Sequence, residues 1–192
     1  MMRVLIAGVL GGIAMFVAST ILHVATPLAN TGFSKLSHEQ GVLDAMKQGV
    51  EKPGLYFFPW VDPGDPKMME KSAELMKANP SGIMVVRPAG GAFSMTPLLV
   101  KEFIKELAQA LIAAFLLSLT ALTAYSARAG FVALMALFSE LGTDTSYWIW
   151  YGFPADYTLA VITIGLIQII VAGLVIAALV KPRVDPRIPL GA

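Results

Sequence analysis

The chain has 192 residues, of which 56% are hydrophobic and only 14% charged, and its formal net charge is +1. A near-neutral balance without a basic patch interleaved with aromatics excludes a nucleic-acid-binding surface. The absence of cysteine excludes disulfides, thiol catalysis and cysteine-ligated metals, and leaves the compartment open. The charges are unevenly placed: long stretches hold none, and one stretch holds most. That is the pattern of apolar spans joined to a water-facing domain.

The first apolar run covers residues 4–26, behind Arg3. At about 1.5 Å per residue it can cross a hydrocarbon core of roughly 30 Å. A cleaved signal peptide is the rival reading, with Val17-Ala18-Ser19 as the processing site. The run continues past that point and outlasts an h-region of about 7–15 residues, so an uncleaved anchor is expected. Residues 1–26 are read as transmembrane helix 1.

Residues 27–96 form the polar segment, read as an α+β extramembrane domain inserted between helices 1 and 2. Ser37 with Gln40 has the form of a capping box, and Leu43, Met46 and Val50 follow at helical spacing. Leu55-Tyr56-Phe57-Phe58 reads as a strand stopped by Pro59. Asp65-Pro66 is expected to start a second helix, with Met69, Ala73 and Met76 on one face as its core side. Ile83-Met84-Val85-Val86 reads as a second strand. Two strands do not make a stable domain alone, so packing on the bundle or on a partner is expected.

Residues 97–192 are read as helices 2–4 with a short cytoplasmic tail. Lys101, Glu102, Lys105 and Glu106 place the start of the second helix in or above the headgroups. Its apolar part is expected over 107–127, with Arg128 marking a tight turn. The third span is expected over 129–147 and the fourth over 157–180. Between them lies Tyr147-Trp148-Ile149-Trp150-Tyr151-Gly152-Phe153-Pro154. Tyr147, Trp148, Trp150, Tyr151 and Phe153 read as an interfacial belt, because amphipathic rings settle at headgroup level. The fold class is thus an all-α membrane bundle of about four transmembrane helices with a small α+β domain.

Orientation follows from the short loops. One side would hold Arg3, Arg128, Lys181, Arg183 and Arg187, and the opposite short loop holds Asp144 and Asp156 with no basic residue. Both termini are therefore expected in the cytoplasm and 27–96 outside, which in a bacterium is the periplasm. Helix association in lipid needs close packing, and every span offers small residues for it. These are Gly8 and Gly12 on the first span, and Ala110, Ala114 and Ser118 on the second. Ala129 and Ala133 follow on the third, and Gly173 and Ala177 on the fourth. Gly8 and Gly12 could pair two chains, but packing within this chain's bundle is the preferred reading.

Ionisable groups inside a span are costly and point to function by default. His23, Glu106, Glu140 and Asp144 are expected in the outer leaflet at similar depth, with Glu140 past the midplane of its span. They are candidates for a metal site, since imidazole and carboxylates are ordinary ligands, or for a proton relay. The blander reading is a polar collar with His23 bonded to a backbone carbonyl. It is preferred because the spacing matches no metal motif. Glu140 stands out, since a charge at its depth costs a few kcal/mol unless paired or protonated. Gln168, midway along the fourth span, is expected to bond another helix, with substrate contact as the minor reading. No cofactor is expected. As the one histidine in a span, His23 excludes a bis-histidine haem site within one chain.

The Gly-rich first span, Glu39 through Tyr56-Phe57-Phe58-Pro59, and the stretch from Tyr147 to Pro154 together resemble an uncharacterised family of bacterial four-helix integral membrane proteins. The resemblance implies an inner-membrane location and four spans, and transfers neither an activity nor a functional residue. The leading expectation is an accessory, assembly or interaction subunit of an envelope complex rather than an enzyme. Its partners would be the bilayer and other membrane subunits, or further copies of itself. A small transporter or channel is one alternative. A membrane enzyme or metal- or pigment-binding protein using His23 and the outer carboxylates is another.

Overall fold

The computed structural model describes residues 1–181, so the tail residues Arg183 and Arg187 lie outside the described residues. The described chain runs α1 (Met2–Ala25), a 3-10 turn (Pro27–Asn30), α2 (Glu39–Gly49), β1 (Gly54–Phe58), α3 (Met68–Ala78), β2 (Gly82–Val86), α4 (Thr96–Ser118), α5 (Tyr125–Tyr151) and α6 (Ala155–Leu179). It divides into two units. A helical unit takes residues 1–33, 94–149 and 153–181; an α+β unit takes 34–93 with 150–152.

In the helical unit α1 is the hub, packed against α4 on one side and α6 on the other. Glycines set the α1–α4 distance. A Cβ on Gly8 would come within 2.9 Å of the Leu111 Cα, and one on Gly12 within 2.9 Å of the Leu107 Cα. Phe16 meets Phe103 edge to face one step further, with ring centroids 5.3 Å apart. As numbers rise on α1 they fall on α4, so the two helices are antiparallel. The Gly8–Gly12 pair is therefore occupied inside this chain. Gly11 faces Ile176 of α6, and Gly173 of α6 faces Val132 of α5. The core collects Met15, Ala110, Ala113, Ala114, Val132, Ala172 and Ile176. Ala177 is also buried, and Ser118 is half-buried. On α5 the buried pair is Val132 and Ala136 rather than the expected Ala129 and Ala133.

Two span boundaries differ from expectation. The apolar stretch 107–127 is not one helix, because α4 ends at Ser118 and α5 begins at Tyr125. Hydroxyls explain the break. Ser118 Oγ donates to the Phe115 carbonyl at 2.6 Å and Thr120 Oγ1 to the Leu117 carbonyl at 2.8 Å. These side chains offer the backbone carbonyls an alternative to another helical turn. Arg128 consequently sits in the first turn of α5, not in the connection. There its Nε donates to the Ala177 carbonyl at 3.0 Å and its Nη1 to the Thr123 carbonyl at 2.6 Å. It thus caps one carbonyl, that of Ala177, near the C-terminus of α6, where a cation is favoured.

Among the described residues, α1 and α6 are the helices long and apolar enough to cross a membrane. Only 33% of the α1 span and 39% of the α6 span is buried, unlike the core helix of a water-soluble protein. α4 fails the same test through Lys101, Glu102, Lys105 and Glu106, and α5 carries Arg128, Glu140 and Asp144.

The segment that follows α1 belongs to the helical unit as far as Phe33, so the polar domain starts later than residue 27. Thr26 accepts from the Leu28 amide, and Pro27 opens the 3-10 turn. Gly32 has φ +80° and lies against the Tyr157 backbone, where any side chain would overlap. Phe33 then meets the Tyr157 ring edge to face at 5.5 Å.

In the α+β unit, β1 and β2 pair antiparallel, with Tyr56 opposite Met84 and Phe57 opposite Ile83. The expected order of helix, strand, helix, strand is present. The caps differ. Ser37 makes no cap, and α2 begins after His38 with no side-chain cap bond. Asp65 lies one turn before α3 and accepts from the Lys67 amide at 2.8 Å. Neither α2 nor α3 buries a residue. Met69 and Met76, expected as core, are 76% and 41% exposed. A two-stranded sheet offers too little surface to bury a helix on each face.

Candidate functional site

A cavity of about 150 Å³ lies inside the helical unit. Its walls include Met15 of α1, Gln109 and Ala113 of α4, Ala136 and Ser139 of α5, and Ala172 of α6. Small side chains create the space, because Ala113, Ala136 and Ala172 leave gaps that a larger residue would fill. Ile112, which also lines the cavity, is 57% exposed.

A polar layer lies above this cavity, one residue from each helix. Ser19 is four residues beyond Met15, Glu106 four before Ala110, Glu140 four beyond Ala136, and Gln168 four before Ala172. Residues four apart share a helix face, so each polar group stands about one 5.4 Å turn over a cavity wall. Since α1 and α5 run opposite to α4 and α6, all four steps lead towards the same end of the bundle.

Glu106 is fully buried, and neither of its carboxylate oxygens meets full hydrogen-bond geometry with a partner, although Ser19 of α1 and Glu102 one turn back both lie against the group. Lys105 Nζ stands 4.0 Å away but makes its close bond to Glu102, at 2.6 Å. Gln109 Oε1 and Gln168 Oε1 are likewise buried and unpartnered. The oxygen of Gln168 thus takes no part in the interhelical bond expected of that side chain. Glu140 lies against the backbone of α6 at Gly165 and is hydrogen-bonded to Asp144 one turn on.

The sequence candidates are only partly brought together. His23 Nδ1 donates to the Ser19 carbonyl at 2.9 Å, a local bond one turn back on α1. Glu140 pairs with Asp144, and Glu106 stands apart from both. Among the described residues no three His, Cys, Asp or Glu side chains converge as a metal site would need. Sequence reasoning missed Ser19, Gln109 and Gly165. The signal for the first two was the helical offset from Met15 and Glu106. Gly165 carries no signal without knowing that α5 packs there.

The belt residues occupy the last turn of α5 and the connection to α6. Tyr147 stacks on Phe153 at 5.5 Å, and Phe153 meets Tyr157 at 5.4 Å. Trp148 and Trp150 are 49% and 78% exposed. Gly152, at φ +69°, makes the reversal between the helices, a conformation that favours glycine. Compared with known proteins, the chain matches no protein-family model, no curated protein and no solved structure.

Proposed function

We propose that this chain is a four-span protein of a bacterial inner membrane whose α+β unit is the docking module of an envelope complex. The unfilled apolar surface of that unit carries the reading. Leu55, Trp60, Met69 and Val85 are 65%, 66%, 76% and 80% exposed, while α2 and α3 bury nothing. Clustered apolar exposure of this kind in a polar unit marks a surface that another protein completes. Four spans are supported by the outward faces of α4 and α5. Ile112, Phe115, Leu134 and Phe138 are 57%, 55%, 67% and 84% exposed, which suits lipid rather than water. Basic residues at one end of the bundle support cytoplasmic termini and a periplasmic α+β unit. The resemblance to bacterial four-helix membrane proteins supports the same placement.

The test is purification in mild detergent from the native membrane, read by native mass spectrometry. A stoichiometric partner, lost when Met69→Glu and Val85→Lys are introduced together, supports the docking role. A chain that emerges alone or only as copies of itself overturns it. Topology has its own test, because the sequence holds no cysteine to give background labelling. Cysteine placed at Gly64 is expected to react with an impermeant maleimide from outside, and cysteine at Ala121 only after permeabilisation.

The buried polar layer favours a second reading, a small transporter or channel. Its requirement is that Glu140 and Gln168 border one water-filled cavity. Flux of a labelled solute in proteoliposomes, abolished by Glu106→Gln, would put this reading ahead.

A further inference from the structure

We propose that β2 is an acceptor edge: the partner that docks on the α+β unit supplies an extended apolar segment, which pairs with β2 as the third strand of the sheet. This rests on the docking reading and names the chemistry of the contact, main-chain hydrogen bonds backed by apolar side chains at alternate positions.

The backbone carries the argument. β1 and β2 make a sheet of two strands, so each has a neighbour on one side only. Their ladder runs unbroken from Gly54 opposite Val86 to Phe58 opposite Gly82. In an antiparallel pair, alternate residues turn both N–H and C=O away from the partner strand. About half of the main-chain groups of β2, a strand of five residues, therefore point outward. Among the described residues, no backbone hydrogen bond outside the ladder involves 54–58 or 82–86. An open row of donors and acceptors is a template for another extended chain. A helix cannot fill it, because the main-chain groups along a helix are already paired within it. A lipid chain has no such groups to offer.

Sequence and placement disagree most at β2. Ile83-Met84-Val85-Val86 is an unbroken apolar run with three β-branched residues. Such a run suits an interior strand, covered on both faces and paired on both sides. Edge strands are commonly blunted by a charged residue, a bulge or a proline within the strand. The five residues of β2 carry none of these. Val85 is 80% exposed although Leu55 of β1 stands directly opposite it. A third strand beside β2 would bring a side chain next to Val85 on its uncovered flank. Ile83 and Val85 share one face, so the incoming segment needs apolar residues at every second position to meet them.

The experiment uses the full chain in mild detergent, with and without the partner that copurifies, and reads amide exchange residue by residue. In the complex, every second amide of β2 is expected to exchange about tenfold more slowly than in the chain alone. A second measurement compares proline with alanine at Met84 and at Val85. One of these positions donates to β1 and the other outward, and exchange of the β1 amides tells which proline variant keeps the ladder. At that position proline is expected to weaken the partner about tenfold more than alanine does, since only proline removes the N–H. If neither proline variant keeps the ladder, the exchange pattern of the unaltered complex decides. A partner that copurifies but leaves β2 exchange unchanged overturns the strand pairing and leaves the docking role standing. Equal weakening by proline and alanine does the same. Absence of any partner overturns the docking role and this inference with it. Copies of the chain alone, with the β2 amides slowed, would put a second β2 edge there and overturn the supply of a strand by a different protein.

Discussion

The carboxylate of Glu140 rests directly on Gly165, in the room left by the missing side chain of α6. A Cβ built at Gly165 would overlap the Glu140 carboxyl group itself. The glycine is therefore a notch for a polar side chain of α5. Gly165→Ala must expel the Glu140 carboxyl or part the helices, and is expected to destabilise the bundle by about 1–3 kcal/mol. Adding Glu140→Ala to that variant is expected to restore most of the loss. Melting temperatures of the four proteins in one detergent close the cycle. A double variant no more stable than Gly165→Ala alone would show that the notch is not what links them.

The glycine pair on α1 offers a different kind of test. Gly8 and Gly12 face Leu111 and Leu107 of the same chain, so a dimer that used these glycines would have to open the bundle. Gly12→Val is expected to lower the melting temperature by an amount worth about 1–3 kcal/mol. It is expected to leave the oligomeric state unchanged. Light scattering on the detergent complex reads the second point. A fall in oligomer size with stability preserved would mean that the pair serves an interface between chains.

The sequence made the helices of the bundle easy to find and their ends hard. Apolar runs place α1 and α6 to within a few residues, since nothing polar interrupts them. The 107–127 run misled because apolarity does not register backbone bonding: Ser118 and Thr120 stop α4 inside an apolar stretch. Small-residue stripes were legible as packing faces, yet the choice between Ala133 and Val132 on α5 depends on helix rotation, which only the partner helix sets. The strand and helix order of the α+β unit was also legible. Its exposed methionines were not, because periodicity shows a face and not whether anything covers it. The polar layer sat in plain view as Ser19, Glu106, Glu140 and Gln168. Recognising it required the antiparallel registers that bring four distant positions to one height.

Arg128 links the opposite end of the bundle. Its guanidinium joins the Thr123 carbonyl, in the α4–α5 connection, to the Ala177 carbonyl near the end of α6. Tyr125 adds a bond from its hydroxyl to the Leu174 carbonyl at 3.2 Å. Arg128→Ala is expected to destabilise by about 2 kcal/mol, because bonds from a charged donor to otherwise open carbonyls are lost. Arg128→Lys is expected to recover less than half, since an ammonium cannot direct two donors along the guanidinium plane. Thermal denaturation of both variants decides the point. Full recovery by lysine would reduce the role to charge alone.

In the α+β unit, Asp65 governs how α3 responds to acid. Its carboxylate accepts from the Lys71 ammonium and from the Lys67 amide, the latter at 2.8 Å. The ion pair with Lys71 acts first, and the amide bond second, to hold the carboxyl below its ordinary value of 3.8. Because the folded form binds its proton less readily than the unfolded form, the contribution is fully present above that ordinary value. It is lost as pH falls through the lower, folded value. Amide exchange across 67–78, corrected for intrinsic rates, is therefore expected to quicken as pH drops below about 4. Asp65→Ala is expected to exchange faster than the unaltered chain at neutral pH and to match it in acid. Equal protection of the two proteins at neutral pH would show that Asp65 does not hold the start of α3, and that helix propensity and the exposed Met69 face alone set its stability.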